Sequence, residues 1–94
     1  MVEIRFYIDP ETGEPHIHRH AVDETEVQDI LSRPWEDRPG QDDSRVALGQ
    51  TRAGRYLRVI YVPDVEDRSI FVVTAYEPGR KVIQALRRRR RRRR

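Results

Sequence analysis

The segment RVALGQTRAGRYLRVIYVPDVEDRSIFVVTAY, residues 45–76, determines the expected fold. Three runs rich in β-branched and aromatic residues predict strands at positions 45–51, 55–62 and 69–76. The connections between them are short: Arg52-Ala53-Gly54 is typical of a tight hairpin, and Pro63 begins a polar turn. Because neighbouring strands with such short connections run in opposite directions, the segment predicts a three-stranded antiparallel meander.

The residues before the meander predict one strand and one helix. Apolar and polar residues alternate from Val2 to Ile8, which is typical of a half-buried strand. Asp23 and Glu26 have the spacing of a capping box at the start of a helix, and Pro34 ends that helix. The polar residues 35–44 are interpreted as a connecting loop.

A last helix is predicted after the meander, because Val82, Ile83 and Leu86 have helical spacing. The expected order is β–α–β–β–β–α. This is a two-layer α+β domain, in which one face of the antiparallel meander packs on the short helix. The domain spans residues 1–86, and a basic tail follows at residues 87–94.

Strand alternation predicts which side chains form the core. The expected core residues are Ile4, Phe6, Val46, Leu48, Leu57, Val59, Phe71 and Val73. The opposite face then carries Arg5, Tyr7, Arg45, Tyr56, Arg58, Thr74 and Tyr76. Arginines pair with phosphates and tyrosines stack on bases, so this face is a candidate nucleic-acid surface. The alternative is that these side chains only solvate the outside of the sheet.

The composition restricts the class of protein. The chain has no cysteine, which excludes disulfides, thiolate metal sites and cysteine nucleophiles. Its beginning lacks the basic and apolar regions of a signal peptide, and no apolar run approaches the ~20 residues that a membrane span needs. We therefore expect a cytoplasmic protein that does not act in a membrane.

The charge is unevenly distributed. The last eight residues are all arginine: Arg87, Arg88, Arg89, Arg90, Arg91, Arg92, Arg93 and Arg94. The other 86 residues carry 11 basic and 16 acidic side chains, a net charge of −5. The tail can neutralise phosphates of a nucleic acid or bind an acidic protein surface. The alternative is a self-repelling tail without a specific partner.

Other candidate chemistry is limited. His16, His18 and His20 alternate and would share one side of an extended segment, where they could bind a metal or transfer protons. The alternative is a surface segment with incidental histidines, and no matching cluster of ligands occurs elsewhere. The sequence has no HExxH motif, no phosphate-binding glycine loop and no GxSxG motif. Neither a metal nor a small-molecule cofactor is expected.

The segment Arg19–Val27, RHAVDETEV, resembles the helix start of BrnT-like proteins and of a neighbouring small domain family of unknown function. The strand segments that are similar to that group are Val46–Thr51, Gly54–Tyr61 and Phe71–Tyr76. The resemblance covers roughly residues 16–81. It departs from the group's pattern at Ala21, where glycine is usual, and at Tyr76, where the toxin-like members of the group have arginine.

The resemblance implies a RelE/ParE-like fold and an RNA-cleaving toxin of a type II toxin–antitoxin pair. It implies RNA, including RNA on the ribosome, as the substrate, an acidic antitoxin protein as a partner, and catalysis without a metal. The polar positions that match, and that it implies as catalytic, are His20, Arg58, Thr74, Tyr76 and Arg80. Two other hypotheses remain open: a non-catalytic domain of this fold that binds nucleic acid or protein, and an interaction protein whose tail carries the function.

Overall fold

The computed structural model describes residues 2–92, which form a five-stranded sheet with helices on both faces. The strands are β1 (Glu3–Phe6), β2 (Glu36–Pro39), β3 (Arg45–Gln50), β4 (Tyr56–Asp64) and β5 (Ser69–Tyr76). The helices are a 3₁₀ helix (His16–His20), α1 (Glu24–Ser32) and α2 (Arg80–Arg92). The order in the sheet is β1-β5-β4-β3-β2, and only β1 and β5 are parallel. The predicted α+β class and antiparallel meander are confirmed.

The short helix begins where the sequence predicted. The Asp23 carboxylate accepts a hydrogen bond from the Glu26 backbone N–H at 2.8 Å, and the Glu26 carboxylate accepts one from the Asp23 N–H at 3.1 Å. These two contacts satisfy backbone donors that a helix start leaves without partners. Val27 and Ile30 are fully buried on the side of α1 that faces the sheet, where they anchor the helix to the core.

The prediction of a loop at residues 35–44 was wrong for its first half. Residues Glu36–Pro39 form β2, which pairs with β3 from Glu36 opposite Leu48 to Pro39 opposite Arg45. The sequence EDRP has none of the residues that favour strands. This strand exists because the hairpin returns it to the open edge of β3, so its pairing is a tertiary effect.

The core lies between α1, the 3₁₀ helix and one face of the sheet. Its fully or nearly fully buried residues are Ile17, Val22, Val27, Ile30, Ala47, Leu57, Val59, Tyr61, Val72 and Ala75, with Ile4 and Phe6 packed against them. The predicted core positions in β1 and β4 are therefore confirmed. In β3 the prediction was wrong: Ala47 faces α1, whereas Val46 and Leu48 lie on the opposite face.

The faces of β5 were also assigned incorrectly at two positions. The register between β4 and β5 shifts after Ile60, so that Ile60 is opposite Thr74 whereas Tyr61 is opposite Val72. Val73 is the extra residue of this β-bulge. Consequently Val72 is fully buried in the core, whereas Phe71 and Val73, which we had expected there, are half-buried on the other face.

The second face of the sheet is partly covered by α2. The predicted last helix extends beyond residue 86 into the arginines as far as Arg92, so residues 86 and 87 belong to one helix. Arginine is a good helix former, and cations near a helix C-terminus interact favourably with its dipole. Leu86 is fully buried and anchors the helix. Arg93 and Arg94 lie outside the described residues.

Within residues 2–92, no helix is long and apolar enough to cross a membrane.

Candidate nucleic-acid interface

The part of the second sheet face that α2 leaves uncovered is a groove of about 660 Å³. Its floor is apolar and is formed by Val46, Ile60, Val62 and Val73. The hairpin between β2 and β3 forms one wall, and Arg58 and Tyr76 lie at one end. A concave apolar surface with polar groups at one end is the usual form of a ligand site.

Arg58 is held at the end of this groove by the strand register. Glu36, Leu48, Arg58 and Tyr76 lie opposite one another on β2, β3, β4 and β5, so their side chains share the second face. Arg58 Nη1 donates to the Tyr76 hydroxyl at 3.4 Å, and the guanidinium carbon lies 6.0 Å from the centre of the Tyr76 ring. The side chain is therefore directed along the sheet towards β5.

The polar atoms of Arg58 and Thr74 are incompletely paired. Arg58 Nε and Thr74 Oγ1 are buried and have no hydrogen-bond partner among residues 2–92. Among residues 2–92, no carboxylate forms an ion pair with Arg58. A half-buried guanidinium without a counterion is uncommon in a folded protein, because burying an unpaired charge is costly. An anionic ligand at Arg58 would offset this cost.

Arg58 also lines a smaller cleft of about 230 Å³ between the sheet and α2. The cleft contains four cationic side chains: Arg38, Arg58, Lys81 and Arg89. Glu36 is the carboxylate beside them; it accepts from Arg38 at 3.1 Å and from two nitrogens of Arg89 at 2.5 and 2.9 Å. The hydrogen bond with Glu36 raises the pKa of Arg89. Four cations beside one carboxylate create a positive site between the groove and α2.

His20 joins the site through Tyr76. The centres of the two rings are 5.8 Å apart, and His20 is exposed at the end of the 3₁₀ helix. Three further ring contacts continue along this edge of the sheet, from His20 to His16 at 5.5 Å, from His16 to Tyr7 at 6.0 Å and from Tyr7 to Phe71 at 6.5 Å. The 3₁₀ helix therefore places an exposed imidazole beside the groove.

The backbone after His20 is fixed by Arg55. This arginine donates to the carbonyl oxygens of Ala21 at 2.6 Å and of His20 at 3.3 Å, and it pairs with Glu26 at 3.0 Å and with Glu77 at 2.7 Å. Ala21 has a φ of 57°, in the left-handed region that favours glycine. Glycine would adopt this conformation freely, whereas Ala21 adopts it at a cost in strain.

The predicted catalytic residues separate into two groups. His20, Arg58, Thr74 and Tyr76 lie together at the end of the groove. Arg80 does not join them: it is the exposed first residue of α2 and lines neither the groove nor the cleft within the described structure. Strand alternation placed Arg58, Thr74 and Tyr76 on one face of the sheet, and the register agrees because Thr74 and Tyr76 follow the bulge at Val73. His20 reaches Tyr76 from the 3₁₀ helix.

The predicted nucleic-acid contacts are more scattered. The prediction that Arg45 shares a face with Arg58 was wrong: Arg45 lies on the face of α1, where its Nε donates to Asp37 at 2.9 Å. Arg5 lies at the far end of β5, where it donates to the Ser69 hydroxyl at 3.1 Å. Tyr7 contacts His16, whose ring in turn contacts His20.

Asp37 also accepts a hydrogen bond from the Tyr61 hydroxyl. Burial, and then the nearby Asp37 carboxylate, raises the pKa of Tyr61 to about 12, so this hydroxyl stays protonated at neutral pH. Asp37 thus binds both Arg45 and Tyr61 on the face of the sheet away from the groove, where the three side chains stabilise the structure.

The arginines of α2 point in different directions. Arg89 faces Glu36, and the guanidinium of Arg90 lies over Trp35, 4.3 Å from the ring centre. Arg87, Arg88 and Arg91 surround Gln84 on the outer side of the helix. Within residues 87–92, the predicted basic segment is therefore helical and has an outer cationic face.

Several residues of this surface were not singled out from the sequence: Trp35, Glu36, Arg38 and Lys81. A helical projection of α2 could have indicated Lys81 and Arg89, because residues 81, 85 and 89 are spaced four apart and share one side of a helix. No signal in the sequence identifies Glu36 and Arg38, since their position depends on the pairing of β2.

Two of the three histidines of the 3₁₀ helix, His16 and His20, contact each other, whereas His18 binds carboxylates elsewhere. His16 Nδ1 lies 3.3 Å from Asp9, and His18 lies between Glu14 at 3.3 Å and Glu24 at 2.8 Å. A backbone hydrogen bond from Glu11, with smaller effects of His16 and Arg19, lowers the pKa of the buried Asp9. Within residues 2–92 no group of three potential ligands could hold a metal ion.

His18 is expected to make stability depend on pH. Its hydrogen bond to Glu24, and then that to Glu14, raises its pKa above the ordinary 6.5. The stabilisation is fully present below the unfolded pKa of 6.5 and is lost as the pH rises through the higher folded pKa. The melting temperature should therefore fall more steeply from about pH 6 to about pH 8 in the wild type than in His18→Gln. Glu66→Gln, in an exposed loop, is the control; equal slopes for all three proteins would contradict the expectation.

The fold defines a class: a small α+β domain with a five-stranded mixed sheet, which here carries a groove and a cationic cleft on the face opposite its main core. Among protein families, the model described as Domain of unknown function (DUF4258) matches residues 16–77, about two thirds of the chain. The chain belongs to this family. No curated protein and no solved structure matches it. The matched segment includes His20, Arg58 and Tyr76 but neither β1 nor α2.

Proposed function

We propose that this protein binds single-stranded RNA on the second face of its sheet and cleaves it as a metal-independent ribonuclease. One observation carries the proposal: the guanidinium of Arg58 lacks a counterion within the described residues and lies where the apolar groove meets the cationic cleft. A phosphodiester would supply the missing anion, and arginine can hold phosphate through two parallel hydrogen bonds.

Single-stranded RNA fits the groove better than a duplex. The floor is apolar, and the cations are concentrated at one end and along α2. Unpaired bases can pack on apolar and aromatic side chains while their phosphates follow a basic surface, whereas stacked base pairs expose little apolar area. The chain outside its last eight arginines has a net charge of −5, so the positive surface is local and gives the RNA a defined location.

Cleavage would proceed by attack of the ribose 2′-oxygen on the adjacent phosphorus. A bond forms between that oxygen and phosphorus, the bond to the 5′-oxygen breaks, and the products are a 2′,3′-cyclic phosphate and a 5′-hydroxyl. His20 or Tyr76 would take the proton from the 2′-hydroxyl and return one to the leaving oxygen. Arg58, with Lys81 and Arg89 in the cleft, would stabilise the additional negative charge of the transition state.

The proposal extends to the toxin group that the sequence resembles. The protein would then be a RelE/BrnT-like toxin of the cytoplasm, acting on RNA that includes ribosome-bound RNA and requiring no small-molecule cofactor. An acidic antitoxin protein would neutralise it by covering the cationic cleft and the outer face of α2, because both surfaces carry excess positive charge.

A non-catalytic RNA-binding or protein-binding domain is the second candidate. The observation that favours it is the contact between Arg58 Nη1 and the Tyr76 hydroxyl, which occupies a lone pair that a proton acceptor would need. Binding is common to both candidates, whereas only the ribonuclease yields a cyclic phosphate product.

The outer face of α2 should determine how RNA binding depends on salt. Each phosphate contact with a single strand contributes about 0.7 to the slope of log affinity against log salt concentration. Replacing Arg88 and Arg91 with glutamine should therefore reduce that slope by about 1.4. Arg52 and Arg68 are both exposed on turns between strands. Replacing these two with glutamine removes the same charge from outside α2 and should leave the slope unchanged. Equal slopes for the two double variants would place the contacts away from α2.

A further inference from the structure

Trp35 and Tyr56 form an aromatic corner on the other flank of α2 from the groove. Their ring centres are 5.7 Å apart and the rings are nearly perpendicular, at 87°. The backbone N–H of Trp35 donates to the Leu48 carbonyl oxygen at 2.8 Å, just before β2 begins. Both residues are half-buried.

Three arginines of α2 surround this corner. Together with Trp35 and Tyr56, Arg87, Arg90 and Arg91 line a niche of about 370 Å³. The volume lies within the range of about 300–1,000 Å³ that is typical of small-ligand pockets. No carboxylate among residues 2–92 pairs with these three arginines. The niche therefore combines two aromatic rings with three guanidiniums that have no counterion in the described structure.

The opposite flanks of α2 thus offer different chemistry. Val82, Ala85 and Arg89 face the cleft that contains Arg58, whereas Arg87, Arg90 and Arg91 face the niche of Trp35. Leu86 between them is buried and fixes the rotation of the helix. A strand of RNA that crosses α2 from the groove would reach the niche next.

We infer that the niche of Trp35, Tyr56, Arg87, Arg90 and Arg91 is a nucleotide subsite that stacks one base of single-stranded RNA. This inference rests on the proposed RNA binding and adds a second point of attachment away from Arg58. The base takes the face of Trp35 over which Arg90 now lies, and the displaced guanidinium joins Arg87 and Arg91 at the adjoining phosphate. Arginine and a base are both planar and both stack on indole, so the exchange retains the stacking.

The chain has a single tryptophan, so the fluorescence of Trp35 reports on this niche directly. The probes are an eight-residue oligouridine and an eight-residue abasic ribose-phosphate oligomer of equal charge. Oligouridine should quench the fluorescence strongly, and the abasic oligomer should bind without comparable quenching. Trp35→Ala should weaken oligouridine binding about tenfold and leave abasic binding unchanged, as expected for the loss of one stacked base.

Two further variants separate stacking from structural effects. Trp35→Phe keeps an aromatic face and should restore most of the affinity that Trp35→Ala loses. Arg68→Gln should leave the quenching intact, because its exposed side chain lies in the turn after β4, at the opposite end of that strand from Tyr56. Oligouridine that binds with steep salt dependence but does not quench Trp35 would overturn the subsite and leave the RNA-binding proposal standing. No binding of oligouridine at low salt would overturn both.

Discussion

Val59→Asp is expected to unfold the domain. Val59 is fully buried on β4, the central strand of the sheet, in the cluster that α1 covers. An aspartate at this position would bury a carboxylate without a partner, which costs more than about 4 kcal/mol. Small domains are stable by about 5–15 kcal/mol, so a domain at the low end of this range would lose nearly all of its stability once the packing of Val59 is lost as well. Circular dichroism and thermal unfolding would measure the loss.

Val65→Asp is the matched control. Val65 is 86% exposed in the turn between β4 and β5, so the same substitution introduces the same charge without burying it. Its free energy of unfolding should stay within about 0.5 kcal/mol of the wild type. A Val59→Asp protein that melts cooperatively at the wild-type temperature would show that the core does not lie on this face of β4.

Arg58→Ala is expected to reduce RNA cleavage about 100- to 1,000-fold, the usual cost of removing one group that stabilises transition-state charge. The fold should survive, because Arg58 is only half-buried and its Nε makes no hydrogen bond within the described structure. Arg58→Lys retains the charge but loses the planar guanidinium, so it should recover only part of the rate. His20→Ala should reduce cleavage less, because Tyr76 can also transfer a proton. Cleavage by the wild type should persist in a chelator.

Arg45→Ala is the matched control for catalysis. It removes the same charge from the same sheet but from the face that α1 covers, so it should retain the wild-type rate. A bacterial host should stop growing when it expresses the wild type or Arg45→Ala, and should grow when it expresses Arg58→Ala. If the wild type neither cleaves RNA nor arrests growth, the non-catalytic binding domain is the better assignment. An equal loss of cleavage in Arg45→Ala and Arg58→Ala would show that Arg58 has no specific role in cleavage.

Local sequence patterns were sufficient to predict an element where a single short-range interaction determines it. The capping box of Asp23 and Glu26 needs only neighbouring backbone groups, and the tight connection through Gly54 needs only a positive φ, which is 100° here. The meander followed from these turns and from strand propensity. The grouping of Arg58, Thr74 and Tyr76 followed from alternation along two adjacent strands.

Which residues of β3 and β5 face the main core could not be predicted from such local patterns. Helix α1 covers one face of the sheet and α2 covers part of the other, so apolar residues occur on both faces. The alternation of apolar and polar residues along a strand therefore does not show which face forms the main core. In β5 the bulge at Val73 changes the side of every residue before it. A bulge is produced by the pairing of two strands, and neither strand shows it alone.

The sequence by itself therefore determined the class of fold, the start of α1, the meander and the identity of the groups at the end of the groove. Only the tertiary structure decided that the polar segment Glu36–Pro39 is a strand, and that the arginines of α2 lie against Glu36 and Trp35. The physical reason is the range of the interactions. Caps, turns and alternation act over a few residues, whereas Arg89 meets Glu36 across 53 positions of the chain. Such an ion pair forms only after the sheet has brought both segments to one face.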